Sequence, residues 1–366
     1  MAHRAPSASP TMTTDPKPAA TKEAARHRRQ EVLRQIEELA SSIGLTIALE
    51  PRISPEITSA PQRRRPRSAS PAPAFRLTDR DIAIIEAVNR FRYLRTGQLK
   101  RLLFRDNRSK QSVQKRLRNL SHPSQRYLGK ILPYVQISED SGGADTAYFL
   151  GPAGMQLLHA RGVPVSDYAH DNSGRVGHYF LEHTLAISEF RVHLELAVGG
   201  ELPLAIHRFT TDYELKRHAV SQTARRRAYK LHHEFRHPRV NKTFLVHPDA
   251  LIVLGGRDPV NHPRRLFFLE IDRGTESQGH IRDKAIGYHL LRETKLFQKF
   301  GQFERFRVLF QTNSARRAEN IRASLANIEG EDLIWLTDDS LVKEETVVTG
   351  PIWRDYKNRS RCIVLT

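Results

Sequence analysis

Acidic residues set beside two strand-like runs constrain this chain more than any other feature. Residues 243–254 read as one strand carrying His247-Pro248-Asp249, and 265–272 read as the next, with Glu270-Ile271-Asp272 at its end. Side chains two apart on a strand leave the same face, about 7 Å from each other. Glu270 and Asp272 therefore share a face, and a hairpin partner can bring Asp249 beside them. Gathered carboxylates repel one another unless a cation sits among them. An all-oxygen set suits Mg²⁺ or Mn²⁺, the ions that assist phosphodiester cleavage. The plain alternative is a group of strand-end acids pairing with arginines such as Arg273.

Charge points to the same chemistry. Lys and Arg number 59 against 40 Asp and Glu, a formal +19 over 366 residues. The commonest partner of so basic a chain is nucleic acid. No apolar run approaches the roughly 18 residues of a membrane span. No basic stretch followed by an apolar core opens the chain, so a secretory signal is not expected. Cys362 is the single cysteine, which excludes an internal disulfide and a cysteine-rich zinc site and suits a reducing compartment.

Residues 1–74 read as a disordered, Pro-rich and basic extension, with one helical island at 19–43 and a basic linker, Gln62-Arg63-Arg64-Arg65-Pro66-Arg67. That linker fits a nuclear-localisation patch or a tail that touches phosphates. Order begins at Phe75. Thr78-Asp79-Arg80-Asp81 has the form of a capping box, with Leu77 and Ile82 as a hydrophobic staple. The first helix reaches about Phe91 and buries Ile82, Ile85 and Val88. Thr96 caps a second, and a third at 109–120 buries Val113, Leu117 and Leu120. Two β-prone runs, 130–137 and 146–150, precede a helix starting at Pro152. Three helices and a β-hairpin in this order predict a winged helix-turn-helix over 75–163.

After a linker at 164–177, the pattern over 178–350 is α/β, with a tail at 351–366. The expected order is helix 178–198, strand 203–210, a basic insertion, strands 243–254 and 265–272, helix 279–299, strand 306–311, helix 314–328 and strand 332–336.

The third helix presents Arg108, Lys110, Lys115, Arg116 and Arg118 beside Gln111 and Gln114, with no acid between 107 and 120. Cations that hold phosphates, mixed with amides that read base edges, make a recognition helix for the major groove. The alternative is a solvated basic face on a protein-binding module. The insertion at 214–239 adds Arg225, Arg226 and Arg227 with Tyr229 and Phe235, as a phosphate-contacting loop or a plain charged one. No two of the 17 histidines are spaced i, i+2, so the His-hydrophobe-His metal motif of relaxases is missing. Lys284, on the helix after the acids, is a candidate to orient or deprotonate water. Glu189, inside the first helix of the α/β region, is a candidate fourth acid.

The chain resembles the replication-relaxation family of plasmids and mobile elements. The matching pieces are Leu77-Thr78-Asp79-Arg80-Asp81, Tyr148-Phe149-Leu150-Gly151-Pro152-Ala153-Gly154, His178-x4-His183, Pro248-Asp249-Ala250, and the run from Leu269 to Glu276. That resemblance covers roughly residues 75 to 312. It implies DNA binding in plasmid replication and relaxation, with double-stranded DNA and plasmid replication or transfer proteins as partners, in the bacterial cytoplasm. The carboxyl-terminal half also resembles the restriction-endonuclease-like core, whose motif is Pro-Asp…(Asp/Glu)-x-Lys. Asp249 and Glu270 fall on its two acids, which would hold Mg²⁺ with help from Asp272. Asp272 stands where the motif has lysine, so Lys284 would have to act from the helix. If it does not reach, the domain is a non-catalytic regulator or replication adaptor.

Overall fold

The computed structural model describes residues 75–104, 109–131, 146–165, 174, 176–200, 202–212, 214, 233–237, 241–258 and 263–363. The helical island at 19–43, the basic linker at 62–67, Arg108, and Arg225 to Arg227 lie outside the described residues. What is described is mixed α/β. Seven α-helices accompany a three-stranded antiparallel sheet, a seven-stranded mixed sheet and a two-stranded ribbon.

Helix α1 (Asp79–Phe91) begins as its capping box predicts. The Asp81 backbone N–H donates to the Thr78 hydroxyl, and the Thr78 N–H donates to the Asp81 carboxylate at 2.7 Å. Ile84 joins Ile85 and Val88 in the core, while Ile82 is only half-buried. In helix α2 (Thr96–Leu103), Thr96 is the first helical residue rather than the cap. Gln98 does the capping, its side-chain oxygen accepting the Arg95 N–H at 2.7 Å. Helix α3 (Lys110–Leu120) is capped by Ser109 and buries Val113, Leu117 and Leu120. Strands β1 (Leu94–Arg95), β2 (Leu128–Ile131) and β3 (Ala147–Leu150) pair in the order β1-β3-β2, and helix α4 (Pro152–Ala160) follows. Gly154 is dictated by space: a Cβ there would collide with the Tyr127 carbonyl.

Helix α5 (His178–Val198) has no single apolar stripe because it is buried on two sides. Ile187, Phe190, Leu194 and Val198 pack on the large sheet, while Val192 and Leu196 join the core of α1, α2 and α3. A polar seam flanks these contacts. Arg95 binds Glu182 at 2.7 Å, and Arg90 binds Glu195 at 2.8 Å. Residues 75–163 and 178–350, expected as two domains, thus lie within one compact unit.

The large sheet runs β12-β11-β10-β9-β8-β7-β4. Its strands are β4 (Leu204–Thr211), β7 (Ala250–Gly256), β8 (Arg265–Asp272), β9 (Phe306–Thr312), β10 (Ile334–Asp338), β11 (Trp353–Arg354) and β12 (Ser360–Arg361). β4, β7 and β8 form an antiparallel meander, and β8, β9 and β10 are parallel. Helices α6 (Gln278–Glu293) and α7 (Ala315–Ser324) cover one face, and α5 with the carboxyl-terminal segment covers the other.

Two expectations are corrected. Residues 243–254 are two strands, not one. β6 (Thr243–Val246) pairs with β5 (His233–Arg236) in a separate ribbon, and only β7 enters the sheet. Pro248 has no N–H to give a ladder, so pairing breaks there. The expected tail is part of the fold, because β11 and β12 extend the sheet and Trp353 is fully buried.

Arg116, expected among the phosphate-holding cations, instead turns inward to Asp81. Burial pushes the Asp81 carboxyl up, but the Arg116 guanidinium and the Thr78 bonds outweigh it and hold it below 3.8. Asp81→Ala is expected to cost on the order of 3 kcal/mol in urea unfolding at pH 7, by leaving Arg116 unpaired. A depressed folded-state value stabilises above the unfolded one and is lost below it. The gap between wild type and variant should therefore shrink as pH falls below 3.8.

Candidate functional site

Asp249 enters the sheet beside the end of β8, its backbone N–H donating to the Leu269 carbonyl at 3.0 Å. Its carboxylate is held from two sides. Oδ2 accepts the Ile271 N–H at 2.7 Å, and Oδ1 meets His183 Nε2 of α5 at 2.9 Å. Burial pushes Asp249 up, but the His183 bond and charge, the Lys284 charge and the Ile271 N–H bring it below its ordinary value. Burial likewise lowers His183, while Asp249 and the charges of Asp212 and Glu270 raise it further, for a net upward shift.

Glu270 is almost completely buried. Helix α6 supplies its partners from Lys284 and Tyr288, which lie one turn apart on the same helix face. Lys284 Nζ donates to Oε2 at 2.8 Å and the Tyr288 hydroxyl to Oε1 at 2.5 Å. Burial and the neighbouring Asp249 charge still push Glu270 up to about 7, against the lowering pull of Lys284 and Tyr288. Glu276 completes the group. Its Oε1 accepts from Lys284 at 2.6 Å, and its buried Oε2 has no hydrogen bond among the described residues. Burial opposes the charge of Lys284, but Glu270, Asp249 and Glu276 raise it above its ordinary value. A lysine so held stays protonated. It can stabilise negative charge, and it cannot be the base that deprotonates water.

Asp272 does not join this group. Its Oδ2 accepts from Arg317 Nε at 2.8 Å and from the Thr312 hydroxyl at 3.1 Å, and Oδ1 accepts the Gly274 N–H at 3.0 Å. Gly274, at φ +83°, provides the tight exit from β8 that this bond requires. The paired-acid alternative thus holds for Asp272, with Arg317 rather than Arg273 as its partner. Glu189 also lies elsewhere, bound to Arg101, to Gln98 at 2.8 Å and to His193 at 3.1 Å. Burial would raise it, but His193, Arg101 and Gln98 hold it at about 2. Its role is to join α5 to α2. No cluster of three or more metal-ligating side chains assembles among the described residues.

Sequence reasoning missed the roles of His183, Glu276, Tyr288 and Arg317. His183 and Glu276 lay within the pieces that carried the family resemblance, and Tyr288 lies four residues beyond Lys284 on the predicted helix. Nothing in the sequence points to Arg317.

On α3, Lys110, Gln111, Lys115 and Arg118 are exposed, and Gln114 is half-buried. Their spacing puts them along one side of the helix, away from the buried Val113 and Leu117. These side chains are free to meet a partner, whereas Arg116 is committed to Asp81.

The replication-relaxation family model matches residues 85–305. The chain belongs to this family. Membership ties it to the replication or relaxation of plasmids and mobile elements. No curated protein and no solved structure matches it. Among the described residues no helix is long and apolar enough to cross a membrane.

Replacing Lys284 by Met is expected to leave Glu270 and Glu276 facing each other without their shared cation, costing on the order of 3–5 kcal/mol at pH 8. Glu270 binds its proton more tightly folded than unfolded, so its penalty is full above about 7 and vanishes below its unfolded value of 4.5. Urea unfolding at pH 5 should show a smaller loss than at pH 8. Equal losses at both would contradict the charge account.

Proposed function

We propose that this replication-relaxation protein binds double-stranded DNA through α3 and cleaves it at the Asp249–Glu270–Lys284 group. Residues 75–163 would then act as a winged helix-turn-helix. Three helices followed by the β2–β3 pair, with an exposed basic and amide-bearing side on α3, support that reading. The succession α5, β4, β7, β8, α6, β9 has the helix–three-strand–helix–strand order of the restriction-endonuclease-like core, with the β5–β6 ribbon inserted. One observation carries the catalytic half: Lys284, one helix removed from the motif's lysine position, reaches Glu270 at 2.8 Å.

Two carboxylates, Asp249 and Glu270, are available to a divalent ion only by exchange of their protein partners. Mg²⁺ commonly takes only one or two carboxylates and fills its remaining positions with water and phosphate oxygen. Asp249 and Glu270 would hold it, and a cation there would offset the burial and the Asp249 charge that lift Glu270. A bound ion would polarise the phosphate and supply an activated water. The chain's own side chains do the rest. Lys284 balances the charge that develops on the phosphoryl oxygens. Tyr288, raised far above its ordinary value by burial and by Glu270, keeps its proton and fixes Glu270 in place. His183, about one-third exposed, offers an imidazole at the mouth of the site to accept or return a proton. The bacterial cytoplasm is the matching compartment, and plasmid replication or transfer proteins are the matching protein partners.

One observation favours a second reading, a regulator or adaptor that binds without cutting. Every carboxylate in the group already has a protein partner, and Asp272, at the motif's lysine position, is locked to Arg317.

Nicking of supercoiled plasmid with Mg²⁺ separates the two. Wild type is expected to nick, and Asp249→Asn and Glu270→Gln to lose at least about 100-fold while melting like wild type. Equal nicking by all three removes the catalytic assignment, and DNA binding without nicking selects the adaptor. For binding, Lys115→Ala combined with Arg118→Ala should reduce the slope of log affinity against log salt by about 1.8, two phosphate contacts' worth. An unchanged slope would take the DNA interface away from α3.

A further inference from the structure

Strand β8 connects two differently charged places. Glu270 lies near its carboxyl-terminal end, and Arg265 opens it five residues earlier, roughly 17 Å away at strand rise. At the Arg265 end the sheet borders a cavity of about 700 Å³. That is within the range that takes a small-molecule ligand.

Its walls are arginine-rich. Arg264 and Arg265 come from the start of β8, Arg305 and Arg307 from the start of β9, and Arg359 and Arg361 from the β12 region. Of the three acids on the same walls, Asp355 and Asp332 pair with other arginines and only Glu304 does not. Asp355 is taken by Arg359 at 2.8 Å and by Arg361 at 2.8 Å, and Asp332 by Arg292 at 2.5 Å. Glu304 forms no ion pair among the described residues, and neither do Arg264, Arg265, Arg305 and Arg307. Arg307 donates only to the Phe306 carbonyl, at 3.2 Å, and lies 5.9 Å over the Trp335 ring.

Guanidinium groups do not escape such crowding by losing a proton, since they remain charged at any ordinary pH. Burial, followed by repulsion from Arg305, lowers Arg265. Arg307 is lowered by burial too, with Arg305, Arg292 and Arg361 adding to the effect against Asp332. A folded chain that keeps Arg265 and Arg307 half-buried beside the exposed Arg264 and Arg305 gains most from an anion that bridges them. Phosphate oxygens, like those of a carboxylate, match the planar guanidinium fork, and a phosphate carries the larger charge for several arginines to share. Tyr356, half-buried on the same wall, gives a planar ring a surface to lie against, whereas Trp335 is buried beneath Arg307.

We propose that this cavity is a nucleotide site, in which Arg265, Arg305 and Arg307 take the phosphate and Tyr356 lies against the base. The ligand is either a free nucleotide or the phosphorylated end of a nucleic-acid strand. The site stands apart from the acidic group and does not depend on that group's chemistry.

Calorimetric titration of the full chain tests this with ATP, with a 5′-phosphorylated oligothymidylate and with the same strand bearing a 5′-hydroxyl. Wild type is expected to bind ATP or the phosphorylated strand saturably. The Arg265→Gln, Arg307→Gln double variant should weaken that binding at least 10-fold. Arg305→Gln, at an exposed position that cannot upset the core, should weaken it by several-fold. ATP binding with no effect of the strand's 5′ phosphate assigns a free nucleotide. A phosphorylated strand that binds at least 10-fold tighter than its hydroxyl counterpart, and competes with ATP, assigns a strand end. No saturable binding by wild type overturns the proposal, as does equal affinity in wild type and Arg305→Gln.

Discussion

Burial of α5 on two sides is the constraint from which the rest of the architecture follows. One helix supplies Phe190 and Leu194 to the large sheet and Val192 and Leu196 to the helical core beside it. Apolar residues spread around its circumference leave no face that tolerates water. The helix is therefore ordered only when both neighbours are in place. Its polar residues reinforce the arrangement, with Glu182, Glu189 and Glu195 meeting arginines of β1, α2 and α1 in turn. The same packing carries His183 to Asp249. The group proposed to be catalytic thus depends on contacts made across the whole length of one helix.

Within that frame the acidic group is a compromise between burial and charge. Glu270 follows the apolar run Leu266–Leu269 of its strand, and desolvation works against its ionisation. Lys284 and Tyr288 counter part of that cost from a single helix face. Asp272, two residues further along, is compensated by Arg317 and Thr312 instead. Two carboxylates on the same strand face thus end in different surroundings, one in contact with an ammonium that is shared and the other in a closed ion pair.

Local signals in the chain gave most of the elements. The Thr78 cap, the α3 apolar spacing and the order of strands and helices after 178 all depend on neighbours within a few residues, where periodicity and capping chemistry operate. The errors fall where distant parts of the chain decide. Pro248 marks a break between β6 and β7, but the partner that draws β6 away, β5, lies in a basic stretch with little strand signal of its own. Trp353 and the short strands near the carboxyl end are fixed by a core assembled from α5 and the sheet. At the site, Asp249, Glu270 and Lys284 could be picked out because acids and a lysine followed strand-like runs in order. The partners of Asp272 and Glu189 could not, since Arg317 and Arg101 are far away in sequence. Arg116 shows the same limit from the opposite side: charge counting put it at the surface, and a carboxylate 35 residues earlier took it inward.

The carboxyl-terminal end of the sheet has one more consequence. An open sheet invites another chain to add to its border wherever a long run of unpaired backbone groups is exposed. Here one border is the eight-residue β4, and the other is β12, a strand of two residues ending in Arg361. So brief a stretch, carrying a positive charge, offers an incoming strand almost no ladder to extend. Strand addition is thereby discouraged at the β12 border and left to β4 at the opposite one.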